Sequence, residues 1–200
     1  MDGHIAQMSR PSNRDKILTA GMQVVHAHGF ANASVRDIVQ AAGVPQGSFT
    51  NHFVSKEAFG MEVLDLYFAG TTEAMQATLL NEALEPLDRL AAFIDRGLDL
   101  RMADGRSNGC MLGNFTAETE ADNTVIRTKL RAIFEAITAE IATCLDAAVA
   151  AGQVPADLEV QETAALILQS LQGAILLSKA YGDCAPVARF KKTLFEKILR

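Results

Sequence analysis

Within residues 46–56 the chain gathers Gln46, Gly47, Ser48, Thr50, Asn51, His52 and Lys56. These short amides, hydroxyls and an imidazole can donate and accept hydrogen bonds at base edges and at phosphates. Gly47 lets a backbone come close, and Lys56, at the start of the next helix, stands where backbone amides also favour an anion. Ser34 and Arg36, at the start of the preceding helix, complete the candidate DNA-binding set. The chemistry implied is recognition of a duplex by hydrogen bonding rather than catalysis.

Two short helices must position these groups. Ser34 followed by Asp37 is a helix-start pattern, with Val35, Ile38, Val39 and Ala42 on one apolar stripe behind it. Ala42-Gly43-Val44-Pro45 breaks that helix, since Gly43 tolerates a left-handed helix end and Pro45 suits the first turn of a new one. The second helix then runs from about Pro45 to His52. Such a pair joined by a tight turn is a helix-turn-helix, whose second helix enters the major groove. A helix from about Asn13 to His28, with Ile17, Ala20, Val24 and Ala27 in phase and Gly29 as its cap, completes a three-helix domain over residues 1–54. His26 and His28 are two apart, hence on different faces, which removes the simple metal reading.

The rest of the chain, residues 55–200, reads as a second helical domain. Ser55 starts a helix carrying Phe59, Val63, Leu66, Gly70, Ala74 and Ala77 to about Asn81, long enough to leave the first domain as a rod shared with the second. Pro86 opens a helix ending near Ala103, Asp104–Gly109 is a loop, and Gly109–Glu120 is a short apolar helix or turn. A long helix from about Asn123 to Ala151 carries Ile126, Leu130, Ile133, Ile137, Ile141 and Leu145 on one stripe. Two more follow, about Asp157–Tyr181 and Ala185–Leu199. The fold class expected is all-α, about nine helices, with a C-terminal ligand-binding and dimerisation domain.

The last two helices are apolar on more than one face. In the first, Val160, Ala164, Ile167, Leu171 and Ala174 form one stripe, and Leu166, Ser170, Gly173 and Leu177 form another of smaller residues beside it. Helices buried on two sides either cross a large core or meet a second chain. We expect a homodimer, with Leu171, Ala174, Phe190 and Leu194 at the seam, because two-fold readers match two-fold sites.

Composition fits a soluble globular chain, with 49% hydrophobic and 21% charged residues. The net charge of −6 is unevenly spread: residues 1–60 carry +1 and all four histidines, residues 61–200 carry −7. Only the first part suits phosphates, and the acidic remainder favours one docking orientation. Cys110, Cys144 and Cys184 are widely spaced, which indicates neither a disulfide framework nor a zinc site, and the cytoplasm is the expected compartment. No cofactor or metal is expected. The polar first fifteen residues read as a loose arm, and Ala164–Leu177 is too short and too interrupted by Gln169 and Gln172 to span a membrane.

The run GF-x-x-x-SV-x-DI-x-x-AAGV-x-x-GSF-x-x-HF-x-SKEA, Gly29 to Ala58, resembles the DNA-binding domain of the TetR (tetracycline-repressor) family of bacterial one-component regulators. The resemblance implies a homodimer closed by the last two helices as a four-helix bundle, a double-stranded operator as partner, a small-molecule effector, and repression. One position departs. The family usually has Tyr two residues after the Ser of GSF, and the phosphate contact implied for that hydroxyl is beyond the reach of Thr50.

Cys110 admits two readings. It suits a small buried hydrophobe between Gly109 and Met111. It also suits a sensor, because a Ser107-Asn108 cap would set it in the first turn of a helix, whose positive end favours a thiolate. The segment GC-x-L-x-N-x-x-AE resembles a subgroup of the same family, the NemR- and AcuR-like regulators, which answer to electrophilic or oxidised small molecules and unsaturated acids. Met111, Asn114 and Phe115 join Cys110 in the candidate effector set. Lys179, the one basic residue in a long apolar stretch, either snorkels to the surface or faces the cavity and holds an anion or the thiolate. An enzyme with Cys110 as nucleophile is the competing class, but all four histidines precede residue 53 and no triad can be assembled. A helical binding protein without DNA recognition is the third.

Overall fold

The computed structural model describes residues 12–102, 108–120 and 122–200. The arm over residues 1–11 and the loop over 104–107 lie outside them. Among the described residues all regular structure is helical: α1 Asn13–His28, α2 Val35–Ala41, α3 Ser48–His52, α4 Lys56–Ala77, α5 Pro86–Met102, α6 Met111–Glu118, α7 Thr124–Ala150, α8 Val160–Tyr181 and α9 Ala185–Thr193, with a terminal π-helical turn Leu194–Ile198. The chain forms two compact units, Met1–Val63 and Leu64–Arg200, and α4 carries the backbone from one to the other.

In the first unit local chemistry sets the helix ends. Ser12 with Asp15, and Ser34 with Asp37, each form a reciprocal capping box at the starts of α1 and α2. The Ser34 hydroxyl and amide hold the Asp37 carboxyl below its ordinary range, so this cap contributes at neutral pH and is lost as acid protonates Asp37. At the end of α2, Val44 N–H reaches the Val39 carbonyl at 3.1 Å and Gly43 N–H the Gln40 carbonyl at 3.1 Å, with Gly43 at φ +63°. That left-handed residue turns the chain toward α3. The second helix is shorter than its pattern suggests: Ser48 N–H donates to the Pro45 carbonyl at 2.9 Å, so Pro45-Gln46-Gly47 form a turn and α3 starts at Ser48.

Five residues cannot hold a helix by themselves, since nucleation is unfavourable and most helical stability comes from packing. Three phenyl rings supply that packing. Phe49, Phe53 and Phe59 meet with centroids 5.2–5.4 Å apart, the Phe53–Phe59 pair edge-on. Beneath them Gly21 of α1 is the only residue that fits, because a Cβ there would lie 2.5 Å from Phe59 Cζ and 2.9 Å from Ile38 Cγ2. Arg14 stacks over the Phe53 ring at 5.6 Å and pairs with Glu62.

In the second unit α7 is central, and its stripe Ile126, Leu130, Ile133, Ile137, Ile141 and Leu145 is buried as its spacing implies. Helices α5, α6 and α8 pack on it, and α9 packs on α8. The start of α5 is capped from elsewhere: Leu87 N–H donates to Gln153 Oε1 at 3.0 Å. The buried Cys144 thiol donates to the Pro86 carbonyl at 3.1 Å. By length and composition alone α8 could cross a membrane, but one of its faces is built into this core through Ala164, Ile167, Leu168, Leu171 and Ile175.

The positions that the pattern assigns to a partner chain are largely packed within the single chain. Leu171, Ala174 and Leu194 are 6%, 7% and 0% exposed within the single chain, and Phe190 is half-buried. Leu171 and Ala174 belong to the protomer's own core because α8 turns that stripe inward, and Leu194 of the terminal turn is buried as well. The second stripe is the open one: Leu166 and Leu177 are exposed, flanked by exposed Leu176 and Tyr181. Between them a Cβ added at Gly173 would meet nothing within 4 Å.

Candidate DNA interface and effector site

The rotation of α3 follows from its buried rings. Phe49 and Phe53 are one turn apart and both face the core. At about 100° per residue, Asn51 then points most directly away, Thr50 lies on one flank, and Ser48 and His52 lie on the other. Thr50, Asn51 and His52 are exposed, as are Gln46 and Gly47 in the preceding turn, while Ser48 is half-buried. The six sequence-selected groups thus share one end of the first unit. Thr50 Oγ1 donates back to the Gly47 carbonyl at 3.1 Å.

Neither the backbone angles nor crowding requires glycine at position 47, the N-cap of α3. Its φ of −64° suits any residue, and a Cβ would meet nothing within 4 Å. The open space leaves the backbone accessible to a partner that approaches it closely. Gly47→Ala is therefore expected to shift stability by less than about 1 kcal/mol yet weaken duplex binding by at least about tenfold, the cost of one misplaced base contact. Thermal melting and a mobility-shift titration on one preparation check both halves. Equal affinity in the two proteins would mean that no backbone approach occurs there.

Lys56 is positioned more firmly than a surface lysine. Its Nζ donates to the Ala31 carbonyl at 3.0 Å and sits 5.0 Å above the Phe30 ring. An ammonium has three donors, so two remain for an oxygen outside. Ser34 and Arg36 are exposed at the start of α2, with the Ser34 hydroxyl engaged to Asp37. The sequence reading missed Val54, which follows α3 and is 97% exposed. Its only signal was an apolar residue between His52-Phe53 and Ser55-Lys56.

At the second candidate site, Cys110 is itself the N-cap residue of α6, at φ −87° and ψ 125°, one position earlier than the first-turn placement expected. Ser107, half of the expected cap, lies outside the described residues. Asn108 does not cap by its side chain: its carbonyl accepts from Asn114 Nδ2 at 2.9 Å, which ties the entry loop to α6. Cys110 is 7% exposed, and Met111 and Phe115 are buried at 1% each. Gly109, at φ +76°, passes close to α8, where a Cβ on it would lie 3.4 Å from Lys179 Cδ. A Cβ on Gly113 would lie 3.5 Å from Gln172 Oε1, a neighbour that sequence reasoning did not select. Lys179 itself is exposed. An open cleft of about 630 Å³ lies beyond the other end of α6, with Thr116, Thr119, Arg127, Arg131 and Phe134 among its walls.

The first unit's residues 17–60 match the model for bacterial regulatory proteins of the tetR family, and residues 86–194 match the tetracyclin repressor-like C-terminal domain. This chain belongs to the TetR family. It is a DNA-binding transcriptional regulator, not an enzyme, and its family binds operators as dimers under the control of ligands. It is 34% identical to the HTH-type transcriptional repressor DhaR of Mycobacterium sp. (strain GP1), over 96% of this chain and 95% of that protein. To the transcriptional regulator AcuR of Cereibacter sphaeroides it is 28% identical, over 88% and 81%. A solved TetR regulatory protein from Rhodobacter sphaeroides superposes with a TM-score of 0.85 at 27% identity, covering 90% of this chain and 95% of that one. The TetR assignment and the all-helical fold expected from Gly29–Ala58 and the helical periodicity hold.

Proposed function

We propose that this protein is a cytoplasmic repressor that binds a palindromic operator as a homodimer and is released by an electrophile or oxidant acting at Cys110. The observation that carries the effector part is the placement of Cys110 at the N-cap of α6, its thiol free of any capping bond and at the positive end of the helix. Gly109, the residue before it, passes close to the Lys179 stem. Burial leaves Cys144 inert, since desolvation pushes its thiol up and its hydrogen is given to Pro86. Cys184 is more exposed than Cys110, so selectivity must come from chemistry rather than access. DhaR is a repressor, which supports repression here. Two reader helices held about one duplex turn apart, roughly 34–36 Å, would read the two halves of the palindrome.

A thiolate adds to an electrophilic carbon, forming one C–S bond while the electrophile's π electrons take up a proton from water. To lower operator affinity 10- to 100-fold, the adduct must favour the DNA-incompetent state by only about 1.4–2.7 kcal/mol. The path runs along the backbone of α4, which belongs to both units. Maleimide-treated protein is expected to release operator DNA in a mobility shift, as is treated Cys184→Ser. Cys110→Ser should bind normally and stay bound after treatment. Release of the treated Cys110→Ser protein would make Cys110 plain core and the effector an ordinary non-covalent ligand.

A further inference from the structure

Position 50 is where this chain leaves its family's pattern, and the side chain there has already committed its one hydrogen. Thr50 Oγ1 gives it to the Gly47 carbonyl at 3.1 Å. A phosphate oxygen only accepts, so this hydroxyl offers it nothing unless that bond breaks. The same bond selects the χ1 rotamer of a β-branched side chain that has just two heavy branches. With Oγ1 turned back along the helix, the methyl is the group left to present. Thr50 is exposed, and Gly47, one turn before it, contributes no side chain to cover the approach. On the major-groove edge of a base pair the one apolar projection is the 5-methyl of thymine.

We propose that the Thr50 methyl packs against a thymine methyl in each half-site, making position 50 a determinant of sequence specificity rather than a phosphate grip. The inference rests on the DNA-binding role of the first unit and is independent of the effector reading. Val54, 97% exposed four residues further on, is the rival apolar group.

Deoxyuridine scanning decides it, because uracil differs from thymine by that methyl alone. The probe is a duplex carrying the sequence that the wild-type protein selects from random DNA, with each thymine replaced in turn. Wild type is expected to lose about fourfold in affinity per half-site at one position, the worth of one buried methyl group, and about fifteenfold when both halves are changed. Thr50→Ser keeps the hydroxyl and loses the methyl, so it should bind the thymine duplex that much more weakly and not distinguish it from the uracil one. Thr50→Val keeps the methyl and should keep the discrimination. The proposal is overturned if no exchange affects wild type, if Thr50→Ser still prefers thymine, if Thr50→Val ceases to, or if discrimination vanishes only in Val54→Ser. Failure to select any sequence at all would count instead against the DNA-binding role.

Discussion

Phe59→Ala is expected to abolish DNA binding while leaving the second unit folded. Phe59 is fully buried and is the ring against which both Phe49 and Phe53 of the reader segment rest. Removing it costs about 3–5 kcal/mol, the usual range for a buried aromatic truncated to alanine. A unit of this size has little stability to spare, and α3, with five residues and no side-chain cap, depends on packing to stay helical. Hydrogen exchange should show the α1–α3 amides unprotected and those of α7 and α8 still slow, with the mobility shift lost. Protection in α1–α3 equal to that of wild type would mean that the ring cluster does not hold the reader.

Leu177→Glu is expected to give a folded monomer. Leu177 is 48% exposed in the single chain, so a carboxylate there costs the protomer little. We propose that the seam runs along the exposed stripe of Leu166, Gly173 and Leu177, where the same carboxylate would be buried opposite its own symmetry copy, a penalty of several kcal/mol. Splitting the dimer removes the advantage of two linked heads, which is worth roughly 10²–10⁴ in affinity. Light scattering at micromolar concentration should report half the wild-type mass, and the operator titration should weaken by that factor. Leu171→Glu is the control: it places charge in the protomer's own core and should unfold the second unit. A Leu177→Glu dimer of wild-type affinity would move the seam elsewhere.

Much of this molecule is written in short-range chemistry, and that part was legible in the residues alone. Ser34 with Asp37, Gly43 before Pro45, and the 3- and 4-residue spacing along α7 act between neighbours in the chain, so helices and turns followed without the fold. The exposure of Gln46, Asn51 and His52 followed too, because they are polar where a helix-turn-helix must be exposed. The tertiary structure decided what sequence spacing leaves degenerate. Both stripes of α8 are apolar, and only packing against α7 and α9 shows that Leu171 and Ala174 face inward and Leu166 and Leu177 outward. The attachment of Lys56 to the Ala31 carbonyl spans 25 residues, and no local pattern encodes it. Thr50 was legible as a missing tyrosine. That its hydroxyl is spent on Gly47 depends on where α3 begins, and Phe49, Phe53 and Phe59 set that start by packing together from two different helices and the turn between them.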